Sequence, residues 1–516
     1  MVPSRVACPV GASADPGIHT GLRNHKIHGA FKMRRVIFPG GLCSLICFFL
    51  GAAGLSFGHQ GEPESEWAIV RTAVGSRAAS GWELALRRLA RLSDPVSEKM
   101  LLDALKNASP GTSYVAAIPL RERVSAVMMP ELVAAYRREK ESKESMEEGS
   151  IFARVLLLDA IAKSGHPNAA EAVKIGLDDP ASMVRIMALG SLERMGKPAV
   201  PALLRGLASA HPETRIWAMR ALKNVLRREA VRYLLRLLSD PDGGVRTEAA
   251  VLLAELDSQA GIDLLRQVCR REGAKNRSVL IALAHLGDGE ARSLLMTGLS
   301  HRDPLERARA SSGIGLAGLV EAVPTLRQAA ERDPSAAVRI SATTSLASIT
   351  GRREPLLAML KDADEWNRLT AARLLLEQGD LSGRPVLLNA LGSPDPALRL
   401  EAARLAGRFL TQDEAWRLED LLRDSLDNVR LYAVQAAGQL RASELLPQLK
   451  AILEERRAGG YDLTAAAAEA IAAIGTGEAV SILREALKSE QSVTRLCAAV
   501  ELIRMEQDRN RQAEKP

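Results

Sequence analysis

Aromatic residues are scarce in this 516-residue chain, at 3% of positions. That scarcity argues against a large mixed β-sheet, and the abundance of Ala, Leu and Arg points to helices. Cysteine is scarce too. Cys8, Cys43 and Cys47 lie in the first fifty residues, while Cys269 and Cys497 stand far apart. That spacing excludes a disulfide framework, a zinc pattern and a C-x-x-C-H haem attachment. His166, His211, His285 and His301 are isolated, and no His-Glu dipeptide occurs. There is no Walker loop and no recognisable nucleophile motif. The expectation is a protein without catalytic, cofactor-binding or metal-binding residues, and not an enzyme.

The charge is less informative than it looks. Of the formal +7, a share of +5 comes from Arg5, Arg23, Lys26, Lys32, Arg34 and Arg35 against Asp15. The body is nearly neutral, so nucleic acid is not an expected partner.

Only one long apolar run exists, Val36 to Phe57. Arg34 and Arg35 precede it, and Ser56-Phe57-Gly58 supplies small residues at a cleavage position. Segment 33–58 therefore reads as a signal peptide, or as an uncleaved anchor just long enough to span a bilayer. Residues 1–32 read as a disordered leader or a start upstream of the true one at Met33. Either way the expected location is exported, periplasmic or membrane-anchored outside the cytoplasm, with membrane contact only through this segment.

What is present in quantity is a repeat. "SDPDGGVRTEAAVLLAEL" (Ser239 to Leu256) is a turn followed by an amphipathic helix. Related stretches are "DDPASMVRIMA" from Asp178, "DPSAAVRISA" from Asp333 and "DSLDNVRLYA" from Asp424. The arginine marks the register at Arg154, Arg185, Arg215, Arg246, Arg277, Arg309, Arg339, Arg368, Arg399 and Arg430, then, past Ala465, at Arg495. Between the markers lies a shorter helix, as in "AVPALLRGL" from Ala199 and "AVPTLRQAA" from Ala322, often with Pro in its first turn. Each unit is two antiparallel helices. One pair cannot bury its apolar stripe, but stacked pairs make a continuous core.

This pattern resembles the HEAT-repeat superfamily in its short form, the phycobilisome-lyase-type HEAT-like repeat. The resemblance implies an all-α, right-handed α-solenoid of stacked antiparallel helix pairs. The array is expected over 148–506, after a divergent helical cap region at 59–147 and before a disordered tail at 507–516. About a dozen units would extend on the order of 100 Å before curvature. The absence of His-Glu departs from the HEAT-like iron hydroxylases. The resemblance implies a non-enzymatic scaffold or adaptor that binds protein partners along its concave face. A prosthetic-group (phycobilin-type) lyase subunit and an anion- or nucleic-acid-binding module are the alternatives.

Repetition sorts positions by role. Three residues after the marker the side chain is mostly Ala, and seven after it is often Leu, Leu316 among them. Those positions read as core. Two and five after the marker the residues vary, including Ser311, Ile314, Cys497 and Val500. They share one helix face, which the resemblance places on the concave side. Trp217, Arg220, Arg373, Arg404 and Tyr432 are the candidate partner-binding residues there. The markers themselves, typified by Arg185, Arg246, Arg339 and Arg430, read as a structural ladder, because a ligand contact would vary. A basic stretch from Arg215 to Arg277 offers a candidate surface for an acidic protein or an anionic surface.

Overall fold

A computed structural model describes residues 66–75, 79–92, 94–272, 275–455 and 461–513. The leader 1–32 and the apolar segment 33–58 lie outside the described residues. Those described belong to one compact unit, Glu64–Pro516.

Among them the secondary structure is entirely helical and alternates strictly. A first, often shorter helix precedes each marker, and a second carries it. The second helices are Ala79–Leu89, Tyr114–Glu122, Glu148–Lys163, Ser182–Met195, Pro212–Leu226, Gly243–Ala254, Arg277–His285, Pro304–Ala317, Ala336–Thr350, Glu365–Glu377, Pro396–Phe409, Asp427–Gln439, Tyr461–Ile474 and Ser492–Ala513. Local chemistry sets their ends. The Asp242 carboxylate accepts from the Val245 amide and starts one helix, and Asp364 does the same for Asn367. Gly318, at φ 69°, ends Pro304–Ala317 in the left-handed region that glycine tolerates best.

Within a pair, the small residue three after the marker lets the two helices touch. The Cβ atoms of Ala188 and Ala218 pack directly over Gly176 and Gly206 of their partner helices. Between pairs, the second helices pack on one another in sequence. We call their free side the inner face.

The arginine ladder runs along the turns. Arg246 Nη1 donates to the carbonyls of Asp240 and Pro241, at 2.7 and 3.0 Å. Arg185, Arg339, Arg368, Arg399 and Arg495 bind the two equivalent carbonyls of their own turns. The other edge of the guanidinium reaches forward. Arg339 grips both oxygens of Asp362 in the next turn at 2.7 Å, and Asp362 passes its carbonyl to Arg368. Arg215 grips Asp240 likewise, and Arg399 grips Asp424. Arg185 reaches Thr214 and Glu213, and Arg430 reaches Glu455 and Asp427. A planar fork suits such a bridge, which a lysine could not reproduce.

The register needs two corrections. In the Pro304–Ala317 helix the ladder residue is Arg307, which binds the carbonyls of His301 and Arg302 and both oxygens of Asp333. Arg309, two residues on, faces the opposite way. Its shift moves Ser311 and Ile314 into the core and leaves Leu316 71% exposed. Arg277 pairs with Glu306 of the following helix. Arg123 follows its helix and bridges back to Ser97, Asp94 and Glu98.

The ends of the array also differ from expectation. Among the described residues helix pairing begins at Glu66, so those from 66 to 147 are built from the same unit. The last helix continues to Ala513, so residues 507–513 are not a frayed tail. It has a partner: Ser492–Ala513 packs on Glu66–Gly75 and Ala79–Leu89. The array therefore closes on itself as a cycle. With inner axes ~8–10 Å apart, its inner helices lie on a ring of about 20 Å radius.

The seam has its own chemistry. Arg88 and Arg91 pair with Glu469, and Arg91 also meets Glu501 at 3.0 Å. Gln507 donates to Asp94 at 3.0 Å. Apolar packing continues across it, since Ile69, Val70 and Leu89 share one buried cluster with Leu496, Val500 and Ile503. Cys497 and Val500, expected on the open face, are fully buried here. Burial pushes the Cys497 thiol up to about 12, against the opposing charge of Arg88.

Candidate inner-face interface

Several second helices expose a ridge on the inner face, drawn from the positions two before and two, five and nine after the ladder position, whereas Val279, Ala282, Cys497 and Val500 at such positions are buried. On Ser182–Met195 the ridge is Met183, Met187, Gly190 and Arg194, and on Pro212–Leu226 it continues through Trp217, Arg220 and Asn224. The neighbouring core positions are buried.

Trp217 is 41% exposed, and the Arg220 guanidinium lies 5.1 Å from its ring centroid. Arg220 itself is held by Glu248 on the next helix at 2.7 Å. Arg373 pairs with Glu377 and Arg404 with Glu401 on their own helices. Tyr432 is half-buried and packs against the core. The structure thus divides the candidate residues into two places. Trp217 and Arg220 form one cluster, while Arg373, Arg404 and Tyr432 occupy the ridges of three later consecutive helices. The arginines arrive neutralised, and Trp217 is the exposed anchor among them.

Sequence sorting missed the position two before the marker. Phe152, Met183 and Trp366 occupy it and are 46%, 57% and 41% exposed. Leu305 holds it in the Arg307 register, 52% exposed. The signal was available, because that position lies one helical turn from Trp217-type positions. Phe152, Met183, Met187 and Trp217 stand on three consecutive helices, and Tyr114 on the helix before them lies 5.9 Å from the Phe152 ring. Large apolar side chains left exposed in one region mark interaction surfaces.

The basic stretch is largely compensated. Arg215 binds Asp240, Lys223 binds Glu255, Arg228 binds Asp257, and Arg266 binds Asp288. These pairs spend much of the positive field within the protein. Among the described residues, no group of His, Cys, Asp and Glu has the arrangement of a metal site, and no helix is long and apolar enough to cross a membrane.

Comparison with known proteins follows the same lines. A family model for HEAT repeats matches residues 200–283, 272–347, 353–436 and 415–504. No curated protein matches the chain by sequence. Among solved structures, human deoxyhypusine hydroxylase in complex with glycerol is similar at 19% identity, over 62% of this chain and 99% of that one, with a TM-score of 0.22. The karyopherin Kap121p bound to the extreme C-terminus of the protein phosphatase Cdc14p is similar at 14% identity, over 86% of this chain, with a TM-score of 0.33. This chain spans 54% of the Kap121p chain. An engineered protein is similar at 18% identity, over 79% and 98% of the two chains, with a TM-score of 0.26. Scores this low carry no argument about function. The repeat matches cover more than half of the sequence, and the chain belongs to the HEAT-repeat family.

Proposed function

We propose that this protein is a non-enzymatic adaptor that binds a protein partner on the inner face of its helical cycle. HEAT repeats support a protein-binding scaffold in general. The observation that carries the finer reading is the contrast between ladder and ridge. The ladder arginines repeat and are consumed by turn carbonyls and carboxylates. The ridges change from helix to helix and hold Phe152, Met183, Trp217 and Trp366 in solvent. Exposed Trp and Phe are the side chains that anchor protein interfaces.

The basic leader and the apolar segment 33–58 support export as the setting, with partners outside the cytoplasm. The test is a pull-down from the native envelope with wild type and a Trp217→Ala/Trp366→Ala variant. Loss of a specific partner in the variant, with an unchanged thermal transition, supports the reading. An unchanged partner list would sink it.

A further inference from the structure

One stretch of the inner face is a groove rather than a ridge. It lies where Arg277–His285, Pro304–Ala317 and Ala336–Thr350 meet. Its volume is ≈ 210 Å³, and Ile281, Ala308, Ser312, Gly313, Leu316 and Ser341 shape it, with Arg277 and Arg309 at its rim. Small residues make it. A Cβ at Gly313 would meet Leu295 at 3.1 Å and Ile281 at 3.5 Å, so glycine lets these side chains close beneath the floor. A Cβ at Gly315 would strike Ser345, so glycine also lets the next helix approach. Ser345 Oγ locks that approach by donating to the Ser311 carbonyl at 2.9 Å.

The charges are unbalanced. Glu306 offers one oxygen to Arg277 at 3.3 Å and the other to Arg309 at 2.7 Å. Two cations therefore share one carboxylate, with each side chain about 40% exposed. Burial and the neighbouring Arg309 both press the Arg277 pKa down, and Glu306 only partly opposes them. A second carboxylate would relieve that repulsion. Beside the cations, Leu316 stands 71% exposed with nothing apolar over it.

We propose that this groove receives a peptide segment of the partner in which an acidic residue neighbours a bulky apolar one. The carboxylate binds between Arg277 and Arg309, and the apolar side chain lies on Leu316 and Ile281. The size fits this occupant. Small-molecule pockets usually run from ≈ 300 Å³ upward, whereas this groove suits one side chain of a longer segment. Charge complementarity selects the acid, since arginine forks bind carboxylates with two hydrogen bonds. The inference rests on the inner-face reading and names its partner's chemistry.

The experiment is panning of a random dodecapeptide phage library on the full chain, followed by binding of the enriched peptides to variants. Enrichment of peptides with Asp or Glu within two residues of Phe, Leu or Trp is expected. Their affinity should fall at least tenfold in Arg309→Glu and in Ser312→Trp, which fills the groove. Both positions are exposed, and an unchanged thermal transition checks folding. Enriched peptides that are basic or uncharged would overturn the proposal. So would acidic, apolar peptides that bind Ser312→Trp as well as wild type. If those peptides are instead lost in Trp217→Ala/Trp366→Ala, the inner face still binds and the groove does not. If no inner-face variant affects binding, both readings fall.

Discussion

At an ordinary junction, such as that between Ala336–Thr350 and Glu365–Glu377, one arginine fork binds one aspartate at the turn. Arg339 and Asp362 meet at the helix N-termini, with side chains 14% and 7% exposed, and leave the inner ridge free. At the seam the charges lie elsewhere. Glu469 and Glu501 sit on the helices Tyr461–Ile474 and Ser492–Ala513 and draw in Arg88 and Arg91 from the first pair. The first of those helices is the unit whose marker slot holds Ala465. Glu501 is fully buried and also takes Arg504 at 2.7 Å. A ladder that extends by repetition cannot join two ends, because the terminal units lack one neighbour each. Closure therefore needed residues that occur once.

The largest expected effect comes from breaking a buried ladder contact. Arg154 has no exposed side-chain surface and holds Asp179, which also accepts from Tyr136. Arg154→Met strands that carboxylate and should cost about 3–5 kcal/mol, read from denaturant midpoints. A loss below about 1 kcal/mol would show that the ladder contributes register rather than stability.

Next is the seam. Arg88→Ala/Arg91→Ala removes its cations while leaving the repeats intact. We expect faster hydrogen exchange in Glu66–Gly75 and Ser492–Ala513, and thiol labelling at Cys497 that wild type resists. Peptide-resolved mass spectrometry reads both. Exchange that rises equally at all junctions would erase the distinction between seam and ladder.

Acid should separate the two further. The Arg307 hydrogen bond holds the Asp333 carboxyl below its usual range, and the Arg339 bond does so for Asp362, with burial opposing in each. A carboxylate whose folded pKa is depressed stabilises the fold above its unfolded value, about 3.9, and loses that contribution as pH falls through the folded value. Stability should therefore drop below about pH 4, and Arg339→Gln should flatten that acid limb. An unchanged limb would remove Asp362 as a contributor.

The smallest effect concerns a turn. Arg441 sits at φ 53°, where several other units place glycine, among them Gly318 and Gly351. Arg441→Gly should stabilise by roughly 0.5 kcal/mol, because the native φ strains a residue with a Cβ. A lower melting temperature would mean the side chain contributes more than the strain costs.

The paired helices were legible because their causes repeat. Ala three after the marker, Leu seven after, and proline in first turns each recur in many units. Arg307 was misread as Arg309 because both fit a spacing near thirty, and only the bonds of Arg307 to the His301 and Arg302 carbonyls and to Asp333 distinguish them. Trp217 was legible as a departure from repetition. Phe152, Met183 and Trp366 were not, because sorting began after the marker and skipped the turn before it. The seam could not be read at all. Arg88 and Glu469 are 381 positions apart, and no periodic signal connects them.

Closure is the claim on which the inner face depends, since it fixes which surface is enclosed. Asp94 and Gln507 are hydrogen-bonded across the seam. An Asp94→Cys/Gln507→Cys variant of the full chain, treated with a short bismaleimide at high dilution, tests it directly. Closure predicts an intramolecular product with peptides around 94 and 507 joined, its yield independent of protein concentration. A linkage that forms only between chains, or none while both thiols label freely, would contradict it.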